Sequence, residues 1–371
     1  MRELVLELAL RLRARVLPEL GSVSGRTHTG GGAGGDVTFA IDAAAEDELE
    51  QFVTQRAPRL AFYSEDRGLV AAADATHVLV VDPIDGTRPA MAGFEAACVA
   101  VALAPIGDGT PTMADVEIGC VVEIKSGDCF LATRGTGVES TRGVHLGSNS
   151  DLGRMFWAYG FRGRPVRPTV EVLGDLIDAS SVGGGTFELG SQAFAMTRIV
   201  TGQLDAVIEV GSRLVEDVPG MRAEFERVGE GHVLNNSPYD LAAPALCLTE
   251  AGGALSDGWG RPLDDRPLLG SGHEFQMSSI SAANPALHAQ LVRAVDEGGA
   301  RLKAQRGGYG AVHAHDPPLA AGKRRGRPIG EPMRALSSGR AAHALTHASA
   351  RLRWPQAPLR LHKHRRATAR G

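Results

Sequence analysis

The chain has few of the residues that build thiolate metal clusters or disulfide frameworks, and it has no long uncharged apolar run. Its 371 residues include only four cysteines, Cys98, Cys120, Cys129 and Cys247, with none of the paired spacings that hold a metal. A core of this size needs no covalent staples, so four reduced thiols in a cytoplasmic protein are expected. No apolar stretch stays free of charge long enough for a signal peptide or a membrane span. Acids are scarce in one region. From Arg301 onward sixteen Lys and Arg face only Asp316 and Glu331, a balance of +14 in a chain of net charge −4, which leaves −18 on residues 1–300. That segment also lacks sustained hydrophobic periodicity, so residues 299–371 read as a basic, low-complexity, disordered tail.

With 43% hydrophobic residues, the rest of the chain is long enough for two packed subdomains, expected over 1–148 and 149–298. Glu3, Glu7, Arg11 and Arg15 recur at four-residue steps opposite Leu4, Leu8, Leu12 and Val16, which makes the N-terminus an amphipathic helix. A Gly-rich loop over 21–35 leads to a short strand of alternating Val37, Phe39 and Ile41. Asp42 then introduces a helix, Ala43 to Arg56, with Ala45, Leu49, Phe52 and Val53 inward and Glu46 and Glu50 on the solvated face. Ala96–Ala104, Val116–Ile124 and Cys129–Thr133 are strands joined by tight turns, hence antiparallel neighbours. Beyond residue 150 strands alternate with helices, so an α+β first half is followed by an α/β second half. In the tail, Lys323-Arg324-Arg325-Gly326-Arg327-Pro328 resembles the core of a minor-groove AT-hook. Basic runs match such patterns by chance, so only weak polyanion binding is expected of it, and no specific nucleic acid.

The chemistry concentrates at Val80-Val81-Asp82-Pro83-Ile84-Asp85-Gly86-Thr87. An apolar run from His77 delivers Asp82 to the carboxyl end of a buried strand, after which Pro83 fixes one backbone angle and Gly86 frees another. Two carboxylates on one stiff turn suit Mg²⁺, a hard cation that takes oxygen ligands at about 2.0–2.1 Å in octahedral array. The amides of Gly86 and Thr87 would open a helix and face an anion. A second strand, Arg59 to Ser64, ends in Glu65-Asp66 and would join these acids if the two strands lie side by side. Asp240, in the first turn of a helix that starts at Ser237-Pro238, is either a capping acid or a ligand brought in from a distance.

Glu65-Asp66, Asp82-Pro83-Ile84-Asp85-Gly86-Thr87, Tyr239-Asp240-Leu241-Ala242-Ala243 and Glu250-Ala251-Gly252-Gly253 resemble, in order, the signatures of the inositol monophosphatase family of Mg²⁺-dependent sugar phosphatases. The resemblance runs through Ser279-Ile280-Ser281-Ala282-Ala283-Asn284-Pro285, about the first 300 residues, and Gly190-Ser191 is a further landmark. It implies a layered αβαβα fold with the site where the two halves meet. It also implies two or three Mg²⁺ ions: Glu65, Asp82 and the Ile84 carbonyl on the first, and Asp82, Asp85 and Asp240 on the second. Thr87 and Asp42 match the hydroxyl and carboxylate that activate water. Gly86 and Thr87 match the phosphate-binding amides, and Glu209 a position that accepts hydrogen bonds from substrate hydroxyls.

Three departures bear on which ester is taken. Arg88-Pro89-Ala90 replaces the family's usual Thr and Asn-Phe, Asp66 stands where a second Glu is common, and the step from Glu209 to Asp240 is long, as if a segment were inserted within Gly211 to Ser237. Arg88 is either a surface residue or extra positive charge for a second anionic group. The expected activity is a Mg²⁺-dependent phosphomonoesterase acting on a small polyol or sugar phosphate, inositol monophosphate first. Fructose 1,6-bisphosphate or an adenosine-type bisphosphate is the alternative substrate, and a phosphosugar- or polyanion-binding protein the non-enzymatic alternative. A homodimer is compatible with this reading.

Overall fold

A computed structural model describes residues 1–312, apart from 23, 32–36, 108 and 271, together with 362–364. The first half runs α1 (Arg2–Val16), β1 (His28–Gly31), β2 (Val37–Phe39), α2 (Ala40–Arg56), β3 (Ala61–Ser64), β4 (Gly68–Val70), β5 (His77–Asp85), α3 (Thr87–Ala92), β6 (Cys98–Pro105), β7 (Ile118–Glu123), β8 (Cys129–Thr133) and β9 (Gly137–Ser140). The second runs β10 (Phe156–Tyr159), α4 (Val166–Ala179), β11 (Gly185–Phe187), α5 (Gln192–Val200), β12 (Ala206–Glu209), α6 (Gly211–Asp217), α7 (Met221–Val228), α8 (Pro238–Ala251), β13 (Ala254–Ser256), β14 (Ser279–Ala282) and α9 (Pro285–Val312), with β15 (His362–His364) last.

Five layers result. The amphipathic faces of α1 and α2, including Leu8, Leu12, Leu49 and Phe52, bury against one side of an eight-stranded sheet ordered β15-β9-β8-β7-β6-β5-β3-β4. Its other side packs on α5 and α8, which also meet the five-stranded sheet β11-β10-β12-β14-β13. The outer face of that second sheet is covered by α4, α6, α7 and α9. The fold is therefore a layered αβαβα arrangement of mixed strands and helices. The expected antiparallel run is present, β5 to β6 to β7 to β8, each central strand buried on both faces. β3 and β5 lie side by side and parallel, with Ser64 paired to Val81, so Glu65 comes level with Asp82.

Three expectations are corrected. Helix α2 begins at Ala40, so Asp42 lies inside its first turn and reaches back, Oδ2 accepting from the Phe39 amide at 3.0 Å. Glu46 is not solvated: at 1% exposure it faces the sheet, accepting from Ser64 Oγ at 2.8 Å and from the Asp66 amide at 3.1 Å. The tail does not begin at 299, because α9 runs on to Val312, burying Leu302 and pairing Arg301 with Asp175 at 2.7 Å. His362–His364 adds a strand antiparallel to β9. Most of the expected disordered tail, with the AT-hook-like motif, lies outside the described residues. All four cysteines are buried and free.

Candidate active site

At the carboxyl end of β5 the register against β6 shifts between Asp82, opposite Ala100, and Asp85, opposite Cys98, so two acids three residues apart both stay at this strand end. Gly86 makes the turn into α3 possible. It adopts φ +94°, and a Cβ there would lie 2.5 Å from the Ala96 carbonyl oxygen, so only glycine fits before α3. Asp240 arrives from α8, where its Oδ2 accepts from the Ser237 amide at 2.6 Å in a capping box. Asp240 is thus a capping acid, and its carboxylate also lies among the other acids. Ligand oxygens of Asp82, Asp85 and Asp240 lie within 4.8 Å of one another.

Each acid is held by fixed dipoles. Asp82 Oδ1 accepts from the Ile84 amide at 2.9 Å. Asp85 is seated on the start of α5, its Oδ2 accepting from Ser191 Oγ at 2.8 Å and from the Ala193 amide, and its Oδ1 from the Gln192 amide at 3.2 Å. A carboxylate at a helix N-terminus is favoured by the partial positive charge there. Burial nevertheless dominates. Desolvation raises the pKa of Asp82 well above the ordinary carboxylate range, and the charges of Glu65, Asp85 and Asp240 push it further. Asp85 is raised by burial against the pull of its hydrogen bonds, and Asp240 is pushed up to about 7 by burial and by Asp85. Three carboxylates whose oxygens converge in this way suit a hard cation, whose charge would oppose these shifts. The residues present therefore fit divalent ions bound by oxygen.

The acids lie on a cleft with two lobes that share Glu65, Asp85, Asp240, Arg162, Glu188, Leu189 and Gly190. One lobe is lined by Ile84, Gly86, Thr87, Arg88 and the apolar Phe94 and Phe161. The other runs over Ser191 to Arg164, Glu209, Asn235, Asn236 and Gln276. Thr87 Oγ1 donates to the Ile84 carbonyl at 3.2 Å, and Arg88 lies over the Phe39 ring at 5.5 Å. Asp42 is beside this region but does not line the cleft. Glu209 is a buried residue, not a surface acid: Oε1 accepts from Arg164 Nε at 2.8 Å and from the Gly211 amide at 2.7 Å.

The structure thus brings Glu65, Asp82, Ile84, Asp85, Gly86, Thr87, Arg88, Glu209 and Asp240 to one cleft. Sequence reading missed Arg162 and Arg164, which leave the carboxyl end of β10. The Phe161-Arg162-Gly163-Arg164 run, two cations around a glycine at a strand end, was the available signal. It also missed Asn235, Asn236 and Gln276, which occupy loops with no recognisable spacing to the acids.

Layered sheets with acids converging at a strand end beside an arginine-lined cleft define a class, a phosphoric monoester hydrolase. The chain belongs to the inositol monophosphatase family, whose sequence profile matches residues 2–300. An inositol-1-monophosphatase of Caulobacter vibrioides is 27% identical over 266 residues, 70% of this chain and 87% of that protein. A fructose-1,6-bisphosphatase/inositol-1-monophosphatase of Methanothermobacter thermautotrophicus is 26% identical over 275 residues, 71% and 85% of the two chains. The Nus factor SuhB of Escherichia coli is 25% identical over 268 residues, 71% and 84%. Among solved structures, the extragenic suppressor protein suhB of Bartonella henselae shares the fold, with a TM-score of 0.60 at 20% identity over 79% of this chain and 97% of that one.

Proposed function

We propose that this chain is a Mg²⁺-dependent phosphomonoesterase for a small polyol or sugar phosphate, inositol monophosphate being the first candidate. The observation that carries the reading is the convergence of Asp82, Asp85 and Asp240 oxygens within 4.8 Å at the head of a polar cleft. Glu65, Asp82 and the Ile84 carbonyl would hold one ion, and Asp82, Asp85 and Asp240 a second. Bound cations of this kind stabilise negative charge on the attacking and leaving oxygens of an in-line displacement.

The chain's own groups do the rest. Thr87 Oγ1 spends its proton on the Ile84 carbonyl, so its lone pairs are left to accept from water. Asp42, which accepts from the Phe39 amide, would be its carboxylate partner by the family resemblance. The amides at Gly86 and Thr87 would meet the phosphate, Arg162 offsets the acid charge, and Arg88 lines the lobe shared with Phe94 and Phe161. Among the described residues no helix is long and apolar enough to cross a membrane.

The test is inorganic phosphate release from inositol 1-phosphate, fructose 1,6-bisphosphate, 3′-phosphoadenosine 5′-phosphate and p-nitrophenyl phosphate, with Mg²⁺ and with EDTA. Release that requires Mg²⁺ and favours the polyol ester is expected. Preference for either bisphosphate would move the assignment to the Arg88 alternative, and no release from any ester would overturn the enzymatic reading.

A further inference from the structure

Of the four acids proposed to hold metal, Glu65 alone sits on a hairpin turn. Asp82 and Asp85 end a strand buried within the sheet, and Asp240 is fixed in the first turn of α8. Glu65, Asp66 and Arg67 instead form the turn between β3 and β4, whose ends pair through Ser64 and Gly68. β4 is the last strand of its sheet, and its Leu69 and Val70 are 53% and 39% exposed, so the outer side of this hairpin is open to solvent. A turn at a sheet edge holds a side chain less firmly than a central strand does.

Helix α2 supplies the anchor. Glu46, 1% exposed, bonds to the residues on both sides of Glu65: Oε2 accepts from Ser64 Oγ at 2.8 Å and Oε1 from the Asp66 amide at 3.1 Å. Asp66 is held again from β2, its Oδ1 accepting from Thr38 Oγ1 at 2.7 Å. Ser64 pairs with Val81 in the parallel ladder, so the residue that Glu46 brackets is the one level with Asp82. A carboxyl group at a buried helix position is costly to desolvate, and an apolar side chain would fill the space without that cost. What Glu46 adds is its two bonds to the turn.

We propose that Glu46 is a positioning residue: by clamping the Ser64 hydroxyl and the Asp66 amide it fixes the backbone of Glu65, so that the Glu65 carboxylate meets the same divalent ion as Asp82. The proposal rests on the metal-dependent reading and extends it to a residue that lines neither lobe of the cleft. The clamp needs two bonds rather than a charge. Glutamine at this position would keep both, Oε1 accepting from the Asp66 amide and Nε2 donating to Ser64 Oγ, whose hydroxyl turns to accept. Methionine is of similar length and keeps neither.

The test counts bound metal directly. Mn²⁺ takes the same octahedral oxygen sites as Mg²⁺, and its free ion is read by electron paramagnetic resonance. Titrated with Mn²⁺ without substrate, Glu46→Met should bind an ion at least about fivefold more weakly than the parent, less than the roughly 10–100-fold typical when a group bonded directly to a metal ligand is lost. Glu46→Gln should stay within about twofold of the parent, because both bonds persist. The Mg²⁺ concentration for half-maximal phosphate release should follow the same order. A smaller loss in Glu46→Met, or an equal loss in Glu46→Gln, overturns the proposal, since a residue that only stabilised the fold would move the melting temperature and leave Mn²⁺ affinity alone. If Glu46→Met does not fold, Ser64→Ala removes one of the two bonds and answers by the same titration, where a loss of at least about twofold is expected and a smaller one overturns the role. A parent chain that binds no Mn²⁺ refutes the metal-dependent reading itself, whereas a parent that binds it and variants that match it refute only the role of Glu46.

Discussion

Ser191 Oγ donates to Asp85 Oδ2 at 2.8 Å and accepts from the Phe194 amide at 3.1 Å, so one hydroxyl caps α5 and holds an acid delivered by β5 from the other sheet. The two halves of the fold meet at this bond. Because Asp85 also takes the Gln192 and Ala193 amides, the start of α5 serves as its counter-charge, and the position of the acid depends on the packing of α5 between the sheets.

Ser191→Ala therefore removes a cap and one of three bonds to Asp85. A loss of about 1–2 kcal/mol is expected, read from urea unfolding. With that bond gone, the Asp85 proton is held more tightly, so the Mg²⁺ concentration for half-maximal turnover should rise a few fold. Unchanged Mg²⁺ dependence would show that the amides alone place Asp85.

Asp82 sits at the centre of the acid cluster, 1% exposed. Asp82→Asn should lower turnover on the order of a thousandfold or more, the scale of several kcal/mol of lost charge stabilisation, while the fold persists. Without metal the variant should melt higher than the parent at neutral pH, because the parent must bind a proton on burying Asp82 and the amide need not. Mg²⁺ should raise the melting temperature of the parent and much less that of the variant. Retained Mg²⁺-dependent turnover would exclude Asp82 as a ligand.

Glu46 is pushed up to about 7 from 4.5, chiefly by burial and against the hydrogen bonds from Ser64 and the Asp66 amide. The folded form keeps its proton where the unfolded chain has lost it. The associated stability is full below pH 4.5 and declines as pH rises to about 7, by up to about 3 kcal/mol. Glu46→Gln mimics the protonated form and should lack this decline. Urea midpoints of both proteins from pH 4.5 to 8, in EDTA, measure the difference, and parallel curves would refute it.

The end of the family match near residue 300 is not the end of the packed chain. Leu302 is 4% exposed in the outer core, and Arg301 and Arg306 pair with Asp175 and Glu224. A chain ended after Ala300 should be less stable than one ended after Val312 by about 1.5–3 kcal/mol, the burial of one leucine. Equal unfolding midpoints would show that this last part of α9 contributes nothing.

Much of the molecule was legible in residue order because the physics was local. The alternation in the central strands, the four-residue repeat of α1 and the capping residues at Ser237 and Asp240 are short-range, and each element formed near where its pattern placed it. The stiff Asp82 to Thr87 turn announced its chemistry for the same reason, with two acids and a glycine in six residues.

What only tertiary structure decided is what meets across layers. Glu46 carries the helical spacing of a solvated residue, yet the sheet edge at Ser64 lies over it. Asn235, Asn236 and Gln276 reach the cleft because α5 and α8 are clamped between two sheets, and no local pattern in their own segments encodes that meeting. The sequence by itself determined the elements, the acids and the family. The packing of five layers determined which proton affinities rise, since desolvation and hydrogen-bond satisfaction depend on every neighbour in space.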